Sequence, residues 1–287
     1  MKKDKLVLFY ITSNPDVALI AEKYGVDRIW IDLEVLGKEE RQGKMDTVKS
    51  HHSVSDIALI KPLLCKAQLM VRINPWNECS QIEIDEVIRA GCDIIMLPYW
   101  KTVDEVRCFT SAVAGRCKTT LLLETKEAVD CVDDVLQQGG FDEIHIGLND
   151  LHLSYGLTFM FELLSNGCVE SLCQKFKSFH VPYGFGGIAG LGEGLLPAEK
   201  IIMEHYRLGS SRAILSRSFC NYEKIGDLTY IEQVFKDNMK KLRKYEEQIP
   251  MMSESSFIQN KVDVEQIVDK IVQKRKLELL HQAEEEK

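Results

Sequence analysis

Short apolar runs of strand length alternate with stretches of helical spacing along most of the chain, and this alternation restricts the fold more than any other feature. Leu6 to Thr12, Arg28 to Glu34, Leu69 to Pro75 and Asp93 to Pro98 read as the first four strands. A fifth, T-T-L-L-L-E, ends on Glu124, and a sixth, D-E-I-H-I-G-L-N-D, ends on Asp150. Pro182 to Ile188 and Arg212 to Ser216 complete the set. Helical spacing follows Ser13 or Asn14 as a cap, with Pro15 in the first turn, and recurs over Asp56 to Leu64, Ile82 to Ala90 before Gly91, and Val103 to Val113. It continues over Lys126 to Gln138, Phe159 to Ser165, Val169 to Phe179, Ala198 to Leu208 and Leu228 to Glu247. Eight strand signals, each followed by helix, predict an α/β fold, a (β/α)8 TIM barrel spanning residues 1–248, over a doubly wound sheet.

A barrel of this kind carries its chemistry at the C-terminal ends of its strands. Those positions hold Asp32 and Glu34 after the second strand, Arg72 and Asn74 after the third, Pro98 after the fourth, Glu124 after the fifth and Asp150 after the sixth. Asp32 and Glu34 share strand parity, so both leave the same face. Neighbouring parallel strands lie about 4.8 Å apart, so the carboxylates of Glu124 and Asp150 can converge on one divalent cation. Acids at strand-to-helix turns also cap helices, and Arg72 can simply pair with a neighbouring acid, so both structural readings stand beside the functional ones. The glycine-rich run from Gly184 to Gly194 does not open a helix at a first βα turn, which weakens a dinucleotide reading. After a seventh barrel strand it can cradle a carboxylate or phosphate on backbone N–H groups, with Gly187 as a substrate contact. The charged segment from Val35 to Ser53 is long for a βα connection and is expected to serve the site. His145 has the opposite parity to Asp150 and is expected to face the helices.

Composition limits the partners. A net charge of −8 without a basic cluster argues against nucleic acid. Nine cysteines without a C-x-x-C pair read as reduced thiols. The first apolar run, seven residues from Leu6 to Thr12, is too short for a signal peptide, and no run approaches a membrane span. A cytoplasmic protein without membrane partners is expected.

The motifs W-I-D-L-E, V-R-I-N-P-W, A-G-C-D-I-I-M-L-P, L-L-L-E-T-K-E-A-V and H-I-G-L-N-D-L resemble, in order and spacing, the HpcH/HpaI aldolase and citrate lyase β-subunit family over Lys5 to Phe219. The resemblance implies a pyruvate- or phosphoenolpyruvate-type barrel that makes or breaks a C–C bond. It implies Glu124 and Asp150 as ligands of Mg²⁺, with Mn²⁺ or Co²⁺ as alternatives, and Arg72 as the group facing the developing enolate. Asp32 and Glu34 match the acidic pair after the second strand, and Asn74 and Pro98 join Arg72 as substrate contacts. Pyruvate-specific members place a histidine where this chain has Val35, and the further acid usual in the citrate lyase branch is missing. The base therefore stays open among the Asp32 and Glu34 pair, a water on the metal, and His51 or His52. Three classes remain: a lyase or aldolase on a small 2-oxo acid, a phosphoenolpyruvate-type transferase or CoA-thioester lyase, and a non-catalytic assembly subunit.

Residues 249–287 read as a linker and one more helix over Val262 to about Gln282, with Asp263 as cap and Gln266 completing a capping box. Val264, Ile267, Val268, Ile271 and Val272 form one apolar stripe. That stripe must cover the barrel's own side or another subunit, and it predicts a homo-oligomer formed through this helix.

Overall fold

The computed structural model describes residues 5–37 and 52–285, with side chains as far as residue 278. Eight parallel strands close into a barrel in sequence order: β1 (Val7–Ile11), β2 (Arg28–Asp32), β3 (Gln68–Arg72), β4 (Ile94–Leu97), β5 (Lys118–Leu123), β6 (Glu143–Ile146), β7 (Tyr183–Ile188) and β8 (Arg212–Leu215). Apolar residues of one parity face the helices, and the other parity fills the barrel. Phe9, Trp30, Met70, Ile94, Met96 and Leu122 form a separate interior cluster. At the N-terminal end of the barrel, buried Glu143 is held by Arg28 through both terminal nitrogens, by Arg212 Nε at 2.7 Å and by Thr120 Oγ1 at 2.8 Å. This polar plug and the apolar layer above it close the barrel from below, so its interior opens only at the C-terminal strand ends.

The helices begin where short polar side chains satisfy the first amides. Asn14 Oδ1 accepts from Asp16 and Val17 N–H at the start of α1 (Pro15–Lys23). Ser53 and Asp56 form a capping box on α2 (Val54–Ile60), and Thr102 and Glu105 form one on the helix over Val103–Val113. The stretch expected as one helix from Lys126 to Gln138 is broken at Cys131 into Lys126–Asp130 and Val132–Gln138. After β6 comes α7 (Leu148–Ser154), and Asp150 sits in its first turn instead of on the strand.

That shift corrects the expectation for His145. Strand alternation does not carry through the Gly147 turn, so Asp150 says nothing about His145. Its ring faces into the barrel, 5.8 Å from the ring of Phe9 and level with Leu122 on β5. His145 and His205, the latter stacked on Phe185, are both buried.

The C-terminal helix also departs from its expected start. It runs from Glu254 to Glu285, and Ser253 opens it with its hydroxyl accepting from Ser256 N–H. Asp263 is therefore a mid-helix residue, ion-paired to Lys200, and not a cap. Val264 and Val268 are fully buried against the barrel's own core, with Ile267 and Ile271 packed beside them. Asn260 Nδ2 donates to Glu204 Oε1 at 2.9 Å, and Arg275 donates to Thr158 O at 3.0 Å over the Phe159 ring. The stripe thus belongs to the same core as residues 1–248, and an oligomer contact is not needed to explain it. Most of the Val35 to Ser53 segment, including His51, lies outside the described residues, as do the side chains of the last residues.

Candidate active site

Asp32 closes β2 and Arg72 closes β3, and the two are register partners, so both side chains rise from one face at the barrel mouth. Arg72 Nε and Nη2 each donate to a different Asp32 oxygen at 2.8 Å, and Nη1 lies 3.2 Å from Glu34 Oε2. Burial opposes the Arg72 charge, but Asp32 and Glu34 more than offset it and hold the guanidinium cationic, well above its ordinary range. The Trp30 ring lies 5.1 Å from the same guanidinium. Both acids place Arg72, Asp32 through the paired hydrogen bonds and Glu34 through its contact with Nη1. Glu34 does so from just beyond the strand, where its N–H donates to Asp32 Oδ1 at 3.2 Å.

Glu124 follows β5 directly and is buried. Its Oε1 accepts from Tyr99 N–H at 3.0 Å, and Tyr99 takes a left-handed backbone, φ 51°, to present that amide. Gly147, at the end of β6, leaves the room that Glu124 fills. A Cβ there would stand 2.8 Å from Glu124 Oε2 and 3.0 Å from Glu124 Cβ. Asp150 is also buried, at the start of α7.

Arg72, Asp32, Glu124 and Asp150 all line one cavity of about 350 Å³, with Gly186 and Gly187 from β7 and with Tyr10, Leu122 and Ile146 among its apolar walls. Two residues expected as substrate contacts lie elsewhere. Asn74 is not on this wall: its Oδ1 accepts from Val35 and Leu36 N–H at 2.9 and 3.0 Å, while its Nδ2 donates to Glu83. It anchors the start of the loop after β2. Pro98 is buried and is not among the residues that line the cavity.

Two further side chains on this wall carry chemistry. His52 reaches it from the start of α2, its Nδ1 accepting from Asp32 N–H at 2.9 Å. Arg217, just past β8, lines both this cavity and a wider one of about 570 Å³ that shares Cys220 and Asn221 with it. The rule that found Glu124 points equally to Arg217, since it too follows a barrel strand. His52, named from the sequence only as a possible base in the loop after β2, is not found by that rule, because no strand ends near it.

Among the described residues no group of three or more His, Cys, Asp or Glu side chains has metal-binding geometry. The donor set nevertheless fits a hard cation held sparingly by protein. Magnesium commonly keeps several waters and uses one or two carboxylates plus substrate oxygens, and Glu124 and Asp150 supply two buried carboxylates on one wall.

The sequence profile of HpcH/HpaI aldolase/citrate lyase matches residues 5–161, more than half of the 287-residue chain. The chain belongs to that family. The HpcH/HpaI match takes in every strand from β1 to β6 and all the residues named above except those from β7 onward and Arg217. No curated protein matches the sequence. Among solved structures, an HpcH/HpaI aldolase from Desulfitobacterium hafniense DCB-2 superposes with a TM-score of 0.60 at 17% identity, covering 79% of this chain and 93% of that one. The citrate synthase SbnG gives 0.57 at 16% identity, covering 80% and 94%. An HpcH/HpaI aldolase/citrate lyase family protein from Burkholderia cenocepacia J2315 gives 0.55 at 14%, covering 79% and 95%. At these identities the likeness shows a shared barrel.

Proposed function

We propose that the protein is a divalent-metal-dependent C–C lyase or aldolase acting on a 2-oxo acid. Family membership supports C–C lyase chemistry in general. The observation that supports this particular reading is the meeting of Arg72, Glu124 and Asp150, from three parts of the barrel, in one 350 Å³ cavity. In this reading Glu124 and Asp150 hold Mg²⁺, which supplies positive charge and orientation for the carboxylate and keto oxygens of the substrate.

The chain's own residues account for the rest. Arg72, immobilised by Asp32 and Glu34, offers a cation whose contact strengthens as the enolate gains charge. Gly187 on the cavity wall lets a planar 2-oxo acid lie close to the β7 backbone. Ile146, Leu122 and Tyr10 keep the reacting carbons in apolar surroundings. The other half of the substrate extends toward Ser216 and Arg217. Nine free cysteines support a reducing, cytoplasmic setting.

A second reading, lysis of a larger acyl thioester, is favoured by the second cavity beside the first, with Arg217, Cys220 and Asn221 lining both. Assay of oxaloacetate, 4-hydroxy-2-oxo acids and CoA thioesters with Mg²⁺, Mn²⁺ or Co²⁺ and with chelator separates the two. Metal-dependent release of pyruvate from small substrates supports the first reading, and turnover of thioesters alone supports the second. Full activity in chelator removes the metal role.

A further inference from the structure

We infer that His52 donates a hydrogen bond to the substrate, fixed as the neutral Nε2–H tautomer by the backbone of Asp32, and is not the general base. This rests on the 2-oxo acid reading above. The deciding contact is Asp32 N–H to His52 Nδ1 at 2.9 Å. A main-chain amide can only donate, so Nδ1 must present its lone pair, and the single proton of a neutral imidazole then sits on Nε2. For Nε2 to act as a base, the proton would have to move to Nδ1, setting two N–H groups head to head.

Asp32 therefore places two donors at once. Its carboxylate fixes the Arg72 guanidinium, and its backbone fixes the His52 ring, and both side chains line the same cavity. Glu124 and Asp150 follow β5 and β6, across the closed barrel from β2. Two donors thus come from the β2 and β3 side and two carboxylates from the β5 and β6 side, an arrangement that polarises a substrate held between them.

In cleavage of a 4-hydroxy-2-oxo acid, the hydroxyl proton passes to a carboxylate lining the cavity. The C3–C4 bond breaks, its electron pair enters the C2–C3 enolate, and the C4 oxygen becomes a carbonyl. His52 keeps its proton throughout and hydrogen-bonds to the C4 oxygen while that oxygen carries most charge. A neutral imidazole is suited to this, since it polarises an oxygen without giving up its proton.

Two measurements test the inference. Nitrogen-15 NMR of histidine-labelled protein, with His52→Ala to assign the signal, should show the neutral Nε2–H form. An Nδ1–H form overturns the proposal whether or not a substrate is cleaved. In kinetics, His52→Gln keeps a side-chain N–H donor and cannot act as a base, whereas His52→Asn keeps an acceptor for Asp32 N–H but is too short to reach the substrate. Gln should hold kcat within about tenfold of the parent, while Asn and Ala should lose on the order of 100-fold, the usual loss for one preorganised donor. If Gln is as slow as Ala, with the parent's thermal melt retained, the donor role is overturned. A parent that turns over no 2-oxo acid removes the functional reading and the donor role with it, leaving the tautomer to the NMR result.

Discussion

The guanidinium of Arg72 grips the carboxylate of Asp32 through two parallel hydrogen bonds of 2.8 Å, and the two residues are register partners at the ends of adjacent strands. A fork this rigid fixes the plane of the guanidinium as well as its position. Arg72→Lys keeps the charge and loses the plane, and Asp32→Asn keeps the shape and loses half of the grip. Each should lower kcat on the order of 100-fold, with divalent-ion affinity by calorimetry nearly unchanged. A parent-like kcat in the lysine variant on a verified substrate would remove the enolate-stabilising role.

Glu124 depends on the missing side chain of Gly147. Gly147→Ala puts a methyl 2.8 Å from Glu124 Oε2 and should push the carboxylate off its position. The backbone there is not left-handed, φ −81°, so the cost falls on the site more than on the fold. Metal affinity should drop for Gly147→Ala, Glu124→Gln and Asp150→Asn alike, with partial rescue of activity by excess metal. Full affinity in the two acid variants would leave helix capping and backbone contacts as the role of these acids.

The C-terminal helix should matter for stability first. Val268 is fully buried against the barrel, so Val268→Ala should cost about 2 kcal/mol in urea unfolding. Truncation after Ser253 uncovers that face and should give an insoluble or low-melting protein. A truncated chain with the parent's melting temperature contradicts the observed packing. Light scattering of the intact protein reports separately whether an oligomer forms.

Stability should fall with acid in a defined window. Burial lowers His145 from 6.5 to about 4, with Arg212 and Arg28 adding to the effect and Glu143 opposing it. Burial and the nearby His145 lower His205 to about 3. The unfolded chain takes up these protons near 6.5, while the folded chain refuses them until those lower values. The stabilisation is therefore complete above 6.5 and is lost as pH falls from there toward about 4 and about 3. Each unit within the window removes up to about 1.4 kcal/mol per ring. Urea midpoints at pH 7.5 and 5 should differ in the parent, and His145→Gln should narrow the gap; an unchanged gap shows that other groups dominate.

The barrel was legible in the sequence because it rests on local signals. Val, Ile and Leu runs such as Asp93 to Pro98 favour strands, helical spacing follows each one, and a parallel order with short connections leaves few ways to close. The same logic put Asp32, Arg72 and Glu124 at the mouth, since a strand end is a sequence position. What the sequence could not carry were contacts between residues far apart in the chain. His52 meets Asp32 across the loop that follows β2, Tyr99 turns its amide to Glu124, and Gly147 makes room for a carboxylate on the neighbouring strand. Asn74 could not be told from a substrate contact until both ends of its side chain were seen engaged. Likewise, the stripe from Val264 to Val272 announced that it would be buried, but only the folded chain showed that the partner is its own barrel. Periodicity records which residues leave water; which surfaces meet, and which donor faces which acceptor, is settled by packing the whole chain.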